Sequence, residues 1–328
     1  MLDRRRREFV TLLGGTVIAW PLAARAQQAA IPVVGFLNSA SAKGYAVPVR
    51  AFGQGLKDTG FVEGENVGIE YRWAEGQYGR LAALAADLVH RRVDVIAANS
   101  PAMLPAKAAT TTIPIVFTTS LDPVQLGVVA SLSRPGGNVT GVTSLNVEVG
   151  PKRLELLHEL ASTINVIGLL VNPDNPNALT LSRDLQAVAD KLGLQLQVLY
   201  AGNERDFDRV FTELVQRRAG ALVIGSDAFF SSRSEQLAAL ALRHSLPAIY
   251  QYPEFTAAGG LMSYGSSLTE SYQAAGIYAG RILKGEKPAE LPVQQNMKIE
   301  LIINLKTAKA LGLTVPLPLL GRADQVIE

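Results

Sequence analysis

Cysteine is absent from all 328 residues. That excludes disulfides, thiolate metal ligands and a cysteine nucleophile. It also excludes the lipid-modified cysteine that would tether an exported protein to a membrane. Histidine occurs three times, as His90, His158 and His244, each within or at the end of a predicted helix beside charged residues. Such positions suit solvated or helix-end imidazoles rather than metal ligands or general bases. H-E-x-x-H, G-x-S-x-G and G-x-x-x-x-G-K-[ST] do not occur, and Gly53-Gln54-Gly55 lies inside a helical stretch without the third glycine of a dinucleotide fingerprint. No metal, cofactor or nucleophile site is supported, so the chain reads as a non-enzyme. Aromatic residues make up only 6% of the chain, and no apolar run reaches the roughly 20 residues needed to span a bilayer as a helix.

What is present begins with an export signal. Residues 1–8 carry four consecutive arginines, residues 9–24 are apolar, and Ala24-Arg25-Ala26 has the small-x-small pattern of a cleavage site. Arg6-Arg7-Glu8-Phe9-Val10 also resembles a twin-arginine consensus, and Gly14, Gly15 and Thr16 keep the apolar run only moderately hydrophobic. Residues 1–26 hold five arginines and two acids, so their removal takes the balance from 31 basic and 29 acidic residues to 26 and 27. The apparent basicity belongs to the signal. The rest of the chain has no basic excess to hold a phosphate backbone, which argues against nucleic acid as a partner.

About 300 residues exceed the usual size of one core, so two lobes are expected. Apolar strand runs at 32–37, 67–72, 93–97 and 113–117 alternate with helical patterns at 47–59, 78–90 and 102–110. The order then repeats, with strands at 165–171, 195–200, 221–224 and 247–250 and helices at 178–192, 207–217 and 237–244. Such alternation predicts parallel sheets with crossover helices: an α/β chain of two doubly wound lobes. Pro135-Gly136-Gly137-Asn138 is turn chemistry, and the segment after it reads as one strand crossing between lobes. Residues 152–161 open the second lobe as a helix, 271–284 form a helix returning to the first, and 291–305 form one or two strands. The expected division is 27–142 plus about 266–290 for the N-terminal lobe, and 143–265 plus about 291–328 for the C-terminal lobe.

Several blocks resemble a known family. Ser133-Arg134-Pro135-Gly136-Gly137-Asn138-Val139-Thr140-Gly141 is similar to the hinge motif of ABC-transporter substrate-binding proteins related to the tryptophan/tyrosine-binding type. Asn304-Leu305-Lys306-Thr307-Ala308-Lys309-Ala310-Leu311-Gly312-Leu313 resembles their C-terminal block. Thr118-Thr119-Ser120-Leu121-Asp122-Pro123-Val124 with Gly127 resembles their first-lobe ligand loop, and Val171-Asn172-Pro173 their second-lobe loop. The resemblance covers essentially everything after the signal. It implies a type I periplasmic-binding-protein fold, two α/β lobes joined by three crossing strands with the ligand in the cleft, and no catalysis. Many relatives are lipoproteins, and this chain departs from them in lacking the cysteine.

In doubly wound sheets ligands sit beyond the carboxyl ends of the strands. The residues found there are Ser39, Asn99, Ser100, Thr118, Thr119, Asp122, Asn172, Asn175 and Asp227. Small polar residues at helix starts are explained equally by capping and by binding a carboxylate through hydroxyls and free N–H groups. The two readings are compatible, and Asp122 before Pro123 is the most cap-like. Asp227 follows an apolar strand with no basic residue nearby until Arg233. It is either an N-cap or the partner of a ligand ammonium, because a desolvated carboxylate is costly unless paired. Tyr250 and Tyr264 follow later strands and either stack on a flat ligand or pack in the core.

The expectation is a monomeric periplasmic solute-binding protein of an ABC importer. It would bind an amino acid, aromatic or otherwise, or another small carboxylate by hinge closure, and deliver it to an inner-membrane permease. An exported α/β enzyme acting on a small molecule is the alternative. N-terminal sequencing of the exported protein is expected to begin at Gln27; material still starting at Met1, or bound to membranes after a salt wash, would contradict cleavage.

Overall fold

A computed structural model describes residues 31–144 and 146–328; the expected signal, residues 1–26, lies outside them. The first lobe runs β1 (Val33–Asn38), α1 (Ala46–Asp58), β2 (Gly68–Trp73), α2 (Leu81–His90), β3 (Val95–Asn99), α3 (Ser100–Ala109), β4 (Ile115–Thr119) and β5 (Val139–Thr143). The second begins with α4 (Gly150–Leu160), β6 (Val166–Val171), α5 (Asn177–Leu192), β7 (Gln195–Tyr200), α6 (Asp206–Gln216) and β8 (Ala221–Ile224). It continues through α7 (Ala228–Ser231), α8 (Ser234–Arg243), β9 (Ala248–Tyr250), α9 (Pro253–Ala257) and β10 (Met262–Gly265). The chain ends with α10 (Leu268–Leu283), β11 (Gln294–Gln295), β12 (Glu300–Asn304), α11 (Leu305–Ala310), α12 (Leu317–Leu320) and β13 (Gln325–Ile327).

Two sheets result, ordered β11-β5-β4-β3-β1-β2 and β13-β12-β10-β9-β8-β6-β7. Every pairing is parallel except β10 with β12. Central strands such as β8, Ala-Leu-Val-Ile, are buried along their whole length, as expected where helices cover both faces of a parallel sheet. The helices owe their seating to apolar stripes. In α6, Phe207, Val210, Phe211 and Leu214 fall at helical spacing and are all buried. Gly193, at φ 68°, ends α5 in the left-handed conformation that favours glycine. Both halves carry the same order, in which the third strand of the half returns to the far side of the first. The switch points therefore fall between β1 and β3 and between β6 and β8.

The chain passes between the sheets three times. β5 is a full member of the first sheet, paired with β4, so the first pass comes after Thr143 rather than along the strand expected to cross. The second pass comes after β10. The third comes after Gln295, because β11 pairs with Val142 and Thr143 of β5; the expected boundary near residue 290 gave these two residues to the second lobe. Asn146 joins two passes: its side-chain oxygen accepts from Ser266 N at 3.0 Å, and its amide donates to the Gln251 carbonyl at 3.3 Å. Arg153, 1% exposed, lies beneath them and donates to the carbonyls of Tyr264 and Asn146. Burial lowers its pKa to about 10.

Helix α10 belongs to the first lobe because it lies against α1 at glycine contacts. A side chain at Gly276 would overlap the Phe52 carbonyl, and one at Gly55 would overlap the Gln273 carbonyl. Gly276→Ala should therefore lower unfolding free energy by about 1–3 kcal/mol through overpacking, despite the gain in helix propensity of about 1 kcal/mol. Urea denaturation checks this, and unchanged stability would show that the helices separate freely.

Candidate functional site

The two switch points face one cavity. From the first lobe it is lined by Tyr45, Asn99, Ser100, Thr118, Thr119 and Ser120, together with Ser271 and Tyr272 of α10. From the second come Asn175, Asn177, Ser226, Asp227, Ser231 and Tyr252. The space between these walls, counted out to where it opens to solvent, is about 450 Å³. Among the described residues, no arginine, lysine or histidine lines it.

On the first-lobe side, hydroxyls and amides are held by one another. Ser100 Oγ lies 3.2 Å from Thr119 Oγ1, and Thr119 Oγ1 also accepts from Leu121 N at 3.1 Å. Asn99 donates to Ser39 Oγ at 2.8 Å and accepts from Ser39 N at 3.1 Å. Tyr272 accepts from Asn38 Nδ2 at 2.9 Å, and Tyr45 meets its ring edge-on with centroids 5.7 Å apart. Burial holds both phenols above their ordinary pKa, and pushes that of Tyr252 up to about 12.

On the second-lobe side everything converges on Asp227. Its Oδ1 accepts from Phe229 N at 2.9 Å, Phe230 N at 3.2 Å and Asn172 Nδ2 at 3.4 Å. Its Oδ2 accepts from Tyr78 Oη at 2.7 Å and from Asn175 Nδ2. Asp227 is thus the N-cap of α7 and lines the cavity. The carboxylate, 5% exposed, has no cationic partner among the described residues. Burial raises its pKa, while the donors from Tyr78, Asn175, Phe230 N and Asn172 pull it down. Two further polar atoms of this wall, Asn177 Oδ1 and Ser226 Oγ, are buried without a hydrogen-bond partner among the described residues.

Of the residues expected from sequence, Asn99, Ser100, Thr118, Thr119, Asn175 and Asp227 line the cavity, and five do not. Ser39 is buried behind Asn99. Asn172 sits behind Asp227, where its own oxygen accepts from Asp174 N at 3.1 Å. Asp122 caps a turn through Val124 N at 2.8 Å; residues 121–130 form turns and no helix begins there. Tyr250 is stacked on Phe255 in the core, centroids 4.7 Å apart. Tyr264 is packed against the core cluster of the second lobe. Strand position explains the two tyrosines: each lies within a strand and packs among apolar side chains, whereas Tyr252 lies past the end of β9 and reaches the cleft. Tyr45 and Tyr272 were missed because they belong to the lead-in of α1 and the first turns of α10, which no strand-end rule singles out.

Residues 31–327 match the family of ABC transporter substrate binding proteins. The chain belongs to that family. A tyrosine-binding protein from Clostridioides difficile (strain R20291) is 27% identical over 266 residues, 80% of this chain and 76% of that one. An ABC domain from Streptococcus pneumonia solved in complex with L-Trp is 25% identical and superposes with a TM-score of 0.78, covering 90% of this chain and 99% of that chain. A ligand-free, open structure of a substrate-binding protein with adhesive properties from Clostridium difficile, also 25% identical over the same shares, gives 0.60. The fold is that of type I periplasmic binding proteins, and the family's role is substrate binding for ABC transporters rather than catalysis. No helix among the described residues is long and apolar enough to cross a membrane.

The raised pKa of Asp227 has a consequence for stability. The folded chain holds that proton more tightly than the unfolded one, so the ionised group is unfavourable above its folded pKa and is relieved as pH falls towards about 4, the unfolded value. In urea titrations of the ligand-free protein, wild type should gain stability relative to Asp227→Asn on acidification from neutral pH. A difference that stays flat, or that grows in favour of Asn, would overturn this sign.

Proposed function

We propose that the chain is the periplasmic, untethered component of an ABC importer and closes its two lobes on an amino acid with an aromatic side chain. The observation that carries the reading is the uncompensated carboxylate of Asp227 in a cavity that also presents Tyr45, Tyr252 and Tyr272. A buried carboxylate without a cation favours a ligand that brings one, and the amino group of an amino acid does so. Tyrosines offer faces and edges to a flat ring. Ser100 and Thr119, at the start of α3 and the end of β4, offer hydroxyls to the carboxylate end, and the N-terminus of α3 adds partial positive charge. The tyrosine-binding and L-Trp-bound relatives support the same ligand class.

Calorimetry with L-tryptophan, L-tyrosine and L-phenylalanine, each against its des-amino acid, tests this. At least one amino acid should bind wild type. Asp227→Asn should weaken it by about one to two decades, the worth of a charged hydrogen bond of roughly 1.5–3 kcal/mol, while the des-amino acid keeps its affinity. Ser100→Ala should weaken both members of the pair. Equal loss for both members in Asp227→Asn would remove the ammonium role, and failure of every amino acid to bind wild type would remove the ligand class.

A further inference from the structure

The lobes touch across the cleft mouth through protein groups alone. Of the five donors on Asp227, four belong to the second lobe; the fifth is Tyr78, which comes after β2 in the first lobe. Beside it, Asn177 of α5 donates to Ser120 Oγ beyond β4 at 3.2 Å. Gly44, in the lead-in to α1, lies against Ser232 at the end of α7. A β-carbon added at Gly44 would stand 2.8 Å from the Ser232 carbonyl oxygen and closer still to its side chain. Gly44 is not in the left-handed region, so backbone conformation does not call for glycine there. The lack of a side chain serves the lobe contact instead.

We infer that Tyr78 is a latch and Gly44 a closing stop, a seam that lets the ligand-free protein visit the closed form and makes Asp227 complete only when the cleft is shut. Neither Tyr78 nor Gly44 lines the cavity, so both act on closure rather than on ligand contact. The described residues superpose on the L-Trp complex with a TM-score of 0.78 and on the open, ligand-free relative with 0.60. In an open form Tyr78 and Asp227 would both turn to water. The seam thus shifts a two-state equilibrium, and any ligand that selects the closed state has its apparent affinity scaled by the closed fraction. Only that last clause rests on the proposed ligand class.

The absence of cysteine makes the test direct. Spin labels at Ala83→Cys on α2 and Thr212→Cys on α6, both exposed, report the lobe separation of the full chain by pulsed dipolar spectroscopy. The ligand-free wild type should show a short-distance population. Tyr78→Phe should deplete it about tenfold relative to the open form, the scale of one lost hydrogen bond to a charged group. Gly44→Val should abolish it, with Gly44→Ala intermediate. Circular dichroism and urea midpoints close to wild type establish that the variants fold. A wild type with no short population, or distributions unchanged in both Tyr78→Phe and Gly44→Val, would overturn the seam. Failure of aromatic amino acids to bind wild type would leave these ligand-free distances intact and would fall on the proposed ligand class alone.

Discussion

The interaction on which the cleft depends is the buried carboxylate of Asp227 and its five donors. Two come from the backbone at the start of α7, two from asparagines at the start of the α5 segment, and one from Tyr78 across the cleft. One side chain thereby fixes the loop after β6 to the loop after β8 and fixes both to the opposite lobe. A carboxylate out of water is unfavourable by itself, and neutral donors offset that only in part. The residual demand for positive charge is what gives the cavity its chemical sense. The two oxygens of Asp227 divide its partners: Oδ1 caps α7, and Oδ2 accepts from Tyr78 and Asn175.

The hinge has a comparable economy. Asn146 and Arg153 bond to backbone groups of the pass that leaves β5, of β10 and the pass after it, and of the turn after β9. A buried guanidinium without a carboxylate is unusual, since its desolvation must be met by hydrogen bonds alone. Here it donates to Asn146 O on the first pass and to Tyr264 O in β10, and so ties that pass to the strand that leads into the second. α10 extends the same support into the first lobe, pressed on α1 through Gly55 and Gly276, and carries Ser271 and Tyr272 to the site.

Much of the architecture was legible. The strand runs at 221–224 and 195–200 match β8 and β7 residue for residue, for different reasons. β8, buried on both faces, is apolar throughout, whereas β7, at the sheet edge with exposed Gln195 and Tyr200, is marked by its alternating start, Gln-Leu-Gln-Val. The site was legible only in part. Residues at the carboxyl ends of β3 and β4 and beyond β8 were found by the rule that ligands gather at strand ends, and Asn99, Ser100, Thr118, Thr119 and Asp227 do line the cavity. The same rule admitted Ser39 and Asn172, which stand one layer behind, because sequence position cannot tell a residue facing the cleft from one holding it. Asp122 was misplaced because the segment after β4 forms turns in place of a helix.

The sequence by itself determined the fold class, because that is written in local patterns, the apolar periodicity of the sheets and helices. Only the tertiary structure decided which polar residues meet. Tyr78 and Asp227 are 149 positions apart, Asn38 and Tyr272 are 234 apart, and no local pattern links them. They are brought together by two strand-order reversals facing each other across three chain crossings, a property of topology that exists only once both lobes have folded.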